Sequence, residues 1–153
     1  MQQSEGLGMM QKDNRKIAFV CTGNTCRSPM AEAIFNDMAE KNGVCVRAES
    51  FGIATSTGLP VSENSVIACK EIGIDLSGKA STAVADAGIE KYEKFYCMSQ
   101  SHAKMLMQFF LVQPEKIAVL GISDPYGGDI EVYRHCRDEI VNSVKEILKA
   151  YEN

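Results

Sequence analysis

The fold is indicated most clearly by the stretch IAFVCTGNTCRSP, which occupies residues 17–29. Its first four residues form a short apolar run of the kind found in buried strands. Residues 21–27 are mostly small and polar and predict a loop. The pair Ser28-Pro29 then predicts a helix start, because serine caps helices and proline fits the first helical position. The stretch therefore predicts a strand, a loop and a helix in succession.

The same alternation continues along the chain. Further strands are predicted at residues 44–50, 95–98 and 116–122, and helices at residues 28–41, 61–72, 83–92, 99–110 and 130–151. Strands that alternate with helices indicate a parallel sheet covered on both faces. We therefore predict a single-domain α/β fold, flavodoxin-like and doubly wound, with a four-stranded parallel sheet and helices on both faces. Ligands bind at the carboxyl ends of strands in such sheets, so the loops after the first and fourth strands should share one edge.

Length and composition restrict the function. A chain of 153 residues with 45% hydrophobic and 24% charged residues suits one folded domain. The net charge of -4 argues against broad nucleic-acid binding, which needs a basic face. No apolar run reaches the roughly 18 residues of a membrane span, and the polar start lacks the apolar core of a secretory signal. We expect a cytoplasmic monomer, with residues 1–14 disordered or foreign to the domain and residues 15–153 forming it.

The loop after the first strand combines features that suit an anion. Cys21 and Arg27 enclose five residues, and a helix N-terminus with free N–H groups follows. Arg27 can hold two phosphate oxygens, and Gly23 and Asn24 can adopt the positive φ angles of a tight loop. The positive charge of Arg27 and of the helix N-terminus is expected to lower the pKa of the Cys21 thiol, which would make the sulfur a nucleophile. The predicted phosphate-binding residues are Thr22, Gly23, Asn24, Thr25, Cys26, Arg27 and Ser28.

The sequence of this loop also fits two other structures. An ordinary strand-to-helix turn would leave Cys21 as a buried thiol, and Cys-x4-Cys approaches zinc-ligand spacing. No second cysteine pair follows, Arg27 would repel a cation, and no metal or other cofactor is expected. Nucleotide-binding glycine motifs are absent from the sequence. His102 and His135 are interpreted as surface or structural residues, because neither lies in a loop that resembles an acid site.

Residues 21–32, CTGNTCRSPMAE, resemble the phosphate-binding loop of the low-molecular-weight protein-tyrosine-phosphatases, and Asp124-Pro125 resembles that family's second motif. The resemblance spans about residues 16–152. It implies hydrolysis of phosphorylated protein side chains through a cysteinyl-phosphate, with Cys21 as the nucleophile. It further implies that Arg27 clamps the phosphate and that Asp124 serves as general acid and then base. By the same resemblance, Ser28 donates a hydrogen bond to the thiolate and Asn24 holds the loop's shape.

Substrate and regulation are left more open by the resemblance. Thr25, where many tyrosine-specific members carry isoleucine, and the segment at residues 124–133 look more like the bacterial protein-arginine-phosphatase branch. Tyr126 could still stack on a phenyl ring, so strict tyrosine specificity remains an alternative. Cys26 could form a reversible disulfide with Cys21, although a passive thiol is also possible. Further alternatives are an arsenate reductase, which needs extra redox cysteines, and a non-catalytic phosphoprotein-binding module.

Overall fold

The computed structural model describes residues 15–152 of the chain. Within that range, four strands form one sheet in the order β2-β1-β3-β4, and every neighbouring pair is parallel. The strands are Lys16–Cys21 (β1), Arg47–Gly52 (β2), Lys94–Cys97 (β3) and Ile117–Val119 (β4). This order confirms the predicted doubly wound sheet. The expectation for residues 1–14 concerns residues outside the described range.

Five α-helices cover the two faces of this sheet in residues 15–152. They are Arg27–Lys41 (α1), Glu63–Lys70 (α2), Val84–Ala87 (α3), Gln100–Phe109 (α4) and Ile130–Lys149 (α5). Successive side chains of a strand point to opposite faces, so β1 contributes to two cores. Ile17 and Phe19 pack with the apolar side chains of α1, α2 and α5, whereas Ala18 and Val20 pack with those of α3 and α4.

Two strand boundaries differ from the sequence prediction. The amide of Val44 donates to the carbonyl of Ala39 at 2.8 Å, which extends the end of α1 and delays β2 to Arg47. β4 is shorter than residues 116–122 because Gly121 adopts a φ of 70° and turns the chain out of the extended conformation. The helix predicted at residues 61–72 is likewise shorter and ends at Lys70.

None of the helices between residues 15 and 152 combines the length and apolar character that a membrane crossing requires.

Candidate active site

A cavity of about 260 Å³ lies at the carboxyl end of β1. Its walls come from the loop after β1 and from the loop that follows β4, which confirms that the two loops share one edge of the sheet. The lining residues include all three predicted catalytic residues and most of the predicted phosphate-binding residues: Cys21, Thr22, Gly23, Asn24, Thr25, Cys26, Arg27, Asp124 and Tyr126.

The side chain of Asn24 organises the loop around the cavity. Asn24 adopts a φ of 55°, a left-handed conformation that asparagine tolerates, whereas Gly23 does not have the positive φ that was expected of it. The Asn24 Nδ2 donates to Ser28 Oγ at 2.7 Å and to Ser50 Oγ at 2.9 Å. Its Oδ1 accepts from the amide of Thr82 at 2.7 Å. Asn24 is 1% exposed, so these bonds replace water and fix the loop.

A half-buried ion pair that the sequence did not reveal, between Glu32 and Lys79, supports Asn24 through Ser50. Ser50 Oγ donates to Glu32 Oε1 at 2.6 Å, and the same carboxylate receives Lys79 Nζ at 2.6 Å. Gly52 allows β2 to approach this closely, because a Cβ there would lie 2.7 Å from the Thr22 carbonyl oxygen. Glu32 and Lys79 lie 47 residues apart, and no local pattern links them.

Ser28 serves the cavity rather than the helix end. The N-cap of α1 is Cys26, so the prediction that Ser28 caps this helix is wrong. Instead, Ser28 Oγ lies 2.7 Å from Cys21 Sγ. Since this oxygen already accepts from Asn24, its hydroxyl hydrogen is free to point at the sulfur. The amide of Asn24 also donates to Cys21 Sγ, at 3.2 Å.

Burial has the largest effect on the Cys21 thiol, which is only 3% exposed. It raises the pKa of Cys21, while the hydrogen bonds from Ser28 and Asn24 and the charge of Arg27 act to lower that pKa. The net shift is upward, so the sequence prediction of a lowered pKa is wrong in sign. The opposing groups were foreseen, but the depth at which β1 buries the sulfur was not.

Arg27 joins the two loops. Its side chain is 7% exposed, and its Nη1 donates to the carbonyl oxygen of Ile122 at 2.9 Å. Its Nη2 lies 3.7 Å from Asp124 Oδ2. The Asp124 side chain is 53% exposed, and its Oδ1 accepts from the amide of Tyr126 at 3.0 Å. A buried guanidinium and a solvent-accessible carboxylate thus line the cavity that contains the sulfur.

Cys26 also lines the cavity, and its sulfur lies among polar side chains. Its Sγ is 3.5 Å from the hydroxyl of Tyr133 on α5 and 3.6 Å from Ser62 Oγ, the N-cap of α2. Burial, followed by the contact with Cys26, raises the pKa of Tyr133 to about 12. Cys21 and Cys26 are both free thiols in this structure. Tyr133 was not singled out from the sequence, although its position on the buried stripe of α5 placed it toward the sheet.

The two residues predicted to determine substrate specificity differ in their exposure to solvent. Thr25 is half-buried in the wall of the cavity, and Tyr126 is 80% exposed at its rim. Tyr126 is therefore free to contact a group that projects from the cavity.

The structure places His102 against the phosphate-binding loop, a contact that was not predicted from the sequence. His102 is 4% exposed near the N-terminus of α4, and its Nε2 lies 2.8 Å from Thr22 Oγ1. The signal that could have revealed it is its place in the first turn of α4, which follows β3 at the same edge of the sheet as the loop. His135, by contrast, has a side chain that is 79% exposed.

A buried sulfur, a guanidinium and a carboxylate around one cavity are the groups of a cysteine-dependent phosphatase. Residues 16–153 match the family model described as low molecular weight phosphotyrosine protein phosphatase, and the chain belongs to this family.

Curated relatives include enzymes with two different named activities. The protein-arginine-phosphatase of Bacillus subtilis (strain 168) is 32% identical over 142 residues, covering 87% of this chain and 94% of the relative. The low molecular weight protein-tyrosine-phosphatase PtpB of Staphylococcus aureus is 32% identical, covering 86% and 96%.

A solved structure of the YwlE arginine phosphatase, a cysteine-to-serine mutant with a phosphorylated active-site serine, superimposes with a TM-score of 0.83. It shares 31% identity with this chain and covers 88% of this chain and 94% of its own. Its phosphoserine supports a covalent phosphoenzyme for this family.

Proposed function

We propose that this protein removes the phosphoryl group from phosphoarginine in proteins, with Cys21 as the nucleophile. The observation that carries the proposal is the placement of Cys21, Arg27 and Asp124 around one cavity, with Ser28 directed at the sulfur. The Cys21 sulfur attacks phosphorus as a thiolate, the form that the hydrogen bonds from Ser28 and Asn24 and the charge of Arg27 favour against the opposing effect of burial. Arg27 meanwhile holds two phosphoryl oxygens. The loop amides supply further positive charge, so the negative charge of the transition state is met without a metal ion.

Asp124 completes both chemical steps. In the first, the S–P bond forms and the bond from phosphorus to the leaving nitrogen breaks, while Asp124 donates its proton to that nitrogen. In the second, Asp124 takes a proton from water, the water oxygen bonds to phosphorus, and the S–P bond breaks to release inorganic phosphate. The exposure of the Asp124 carboxylate suits this exchange of a proton with solvent-borne water.

Thr25 and two relatives favour phosphoarginine over phosphotyrosine. The Thr25 hydroxyl gives the cavity wall a polar group that can bond a guanidinium nitrogen, whereas isoleucine there would favour a flat aromatic ring. The relatives from Bacillus subtilis and Geobacillus stearothermophilus are both named protein-arginine-phosphatase. Strict phosphotyrosine activity is the second candidate, and it is favoured by the exposed Tyr126 at the rim, which could stack on a phenyl ring.

The test compares phosphoarginine and phosphotyrosine peptides of identical flanking sequence, with wild type and Thr25→Ile. We expect wild type to prefer phosphoarginine by kcat/KM and Thr25→Ile to reverse that preference. Thr25→Ser, which keeps the hydroxyl, is the matched control and should retain it. A wild-type preference for phosphotyrosine that Thr25→Ile does not change would refute the phosphoarginine assignment.

The substrates are phosphorylated proteins, and the enzyme acts as a monomer in the cytoplasm. All six cysteines are free, which fits a reducing compartment. We also propose that Cys26 can form a disulfide with Cys21 under oxidation. The arsenate reductase alternative is not favoured, because Cys69 and Cys97 are both fully buried and lie on separate elements in different cores.

A further inference from the structure

Building on the proposed phosphatase function, we propose that His102 is a positioning residue that holds the Thr22 hydroxyl as a further hydrogen-bond donor to the phosphoryl group. Thr22 follows the nucleophile directly and lines the cavity. Its backbone is fixed, because its carbonyl accepts from the amide of Ala54 at 3.0 Å. Rotation about χ1 is therefore the freedom that remains to the hydroxyl, and the 2.8 Å contact with His102 Nε2 restricts it.

The hydrogen bonds of His102 determine which nitrogen carries the proton. The amide of Ser99 donates to His102 Nδ1 at 3.2 Å. A backbone N–H cannot accept, so Nδ1 must be the acceptor and carries no hydrogen. In a neutral ring the hydrogen is then on Nε2, which donates to Thr22 Oγ1. With one lone pair of Thr22 occupied in this way, its own hydroxyl hydrogen is available to the cavity.

The surroundings of His102 keep the ring neutral. Burial and the positive charge of Arg27 lower the pKa of His102 to about 4, while the carboxylate of Asp124 acts in the opposite direction. Those two charged side chains line the same cavity as Thr22. A neutral ring matters because an imidazolium would have hydrogens on both nitrogens and would lose the bond from Ser99. At neutral pH both hydrogen bonds of the ring, from the Ser99 amide to Nδ1 and from Nε2 to Thr22 Oγ1, are therefore present.

The bond to Thr22 can be removed at either partner. Thr22→Val keeps the shape of the side chain and removes the hydroxyl. His102→Asn keeps a polar group near Nδ1 for the Ser99 amide but has nothing at the Nε2 position. His102→Gln is the matched control, because its amide N–H reaches the position of Nε2.

Inorganic phosphate is the probe, and its affinity is measured as protection of Cys21 from iodoacetamide, read by mass spectrometry of the Cys21 peptide at pH 7. Loss of a hydrogen bond to a charged group predicts about tenfold weaker phosphate binding in Thr22→Val. His102→Asn should weaken binding by a similar factor, and His102→Gln should bind as wild type does. The Thr22→Val, His102→Asn double variant should be no weaker than either single variant.

The outcomes separate this inference from the proposed function. If phosphate fails to protect Cys21 in wild type, both the phosphatase proposal and this inference are overturned. If wild type is protected and His102→Asn binds phosphate equally well, the inference alone is overturned. Should His102→Asn fail to fold, His102→Gln decides the matter: wild-type affinity supports the role of the Nε2 donor, and a loss equal to that of Thr22→Val contradicts it.

Discussion

Replacing Ser28 by alanine removes the hydroxyl that lies 2.7 Å from the Cys21 sulfur. Both residues are almost fully buried, so water cannot replace the lost donor. A hydrogen bond to a charged group contributes about 1.5–3 kcal/mol, and one pKa unit corresponds to 1.36 kcal/mol. Ser28→Ala should therefore raise the pKa of the Cys21 thiol by about 1–2 units above its wild-type value, since the lost bond favours the thiolate.

The pKa of Cys21 is measured from the pH dependence of its alkylation by iodoacetamide, followed by mass spectrometry of the Cys21 peptide. Ser81→Ala is the matched control, because Ser81 is equally buried but bonds the backbone of Leu59 and Ser56 instead of the sulfur. The control should keep the wild-type pKa. An unchanged pKa in Ser28→Ala would refute the reasoning that the hydroxyl hydrogen points at the sulfur.

Three further results are expected. Asp124→Ala should slow hydrolysis of phenyl phosphate far more than that of p-nitrophenyl phosphate, whose leaving group needs no proton; equal losses would exclude Asp124 as the acid. Peroxide should inactivate the wild type and dithiothreitol restore it, while Cys26→Ser should lose activity irreversibly; full recovery of Cys26→Ser would exclude Cys26 as the partner thiol. The folded protein resists protonation of His102 down to about pH 4, whereas the unfolded chain binds that proton below about pH 6.5. Acidification across this window should therefore lower the free energy of unfolding by up to about 3 kcal/mol more in wild type than in His102→Gln, measured by urea titration. An equal loss of unfolding free energy in the two proteins would contradict this expectation.

Local sequence was sufficient for much of the fold. The apolar run before Cys21 and the Ser28-Pro29 pair predicted β1 and α1, and the alternation of elements predicted a parallel sheet. The residues at which the strands and helices end were less predictable. β4 shortens at Gly121, whose positive φ depends on how the chain leaves the edge of the sheet.

The candidate site was predictable only where motifs are contiguous. Cys21 and Arg27 lie in one loop, and Asp124 was identified by its resemblance to a known motif. His102 lies 80 residues from Thr22, and Tyr133 lies 107 residues from Cys26, so folding alone brings these pairs together. The sign of the shift in the Cys21 pKa was also missed, because the cost of burying a charge depends on depth within the tertiary structure.

The bond from Arg27 to the Ile122 carbonyl has a consequence for how the enzyme matures. The nucleophile loop lies near the start of the chain, yet its guanidinium is anchored by backbone that is synthesised much later. A nascent chain that has emerged only as far as β3 has the cysteine but lacks this anchor. Arg27 can therefore take its observed position only after β4 has joined the sheet and residue 122 is in place.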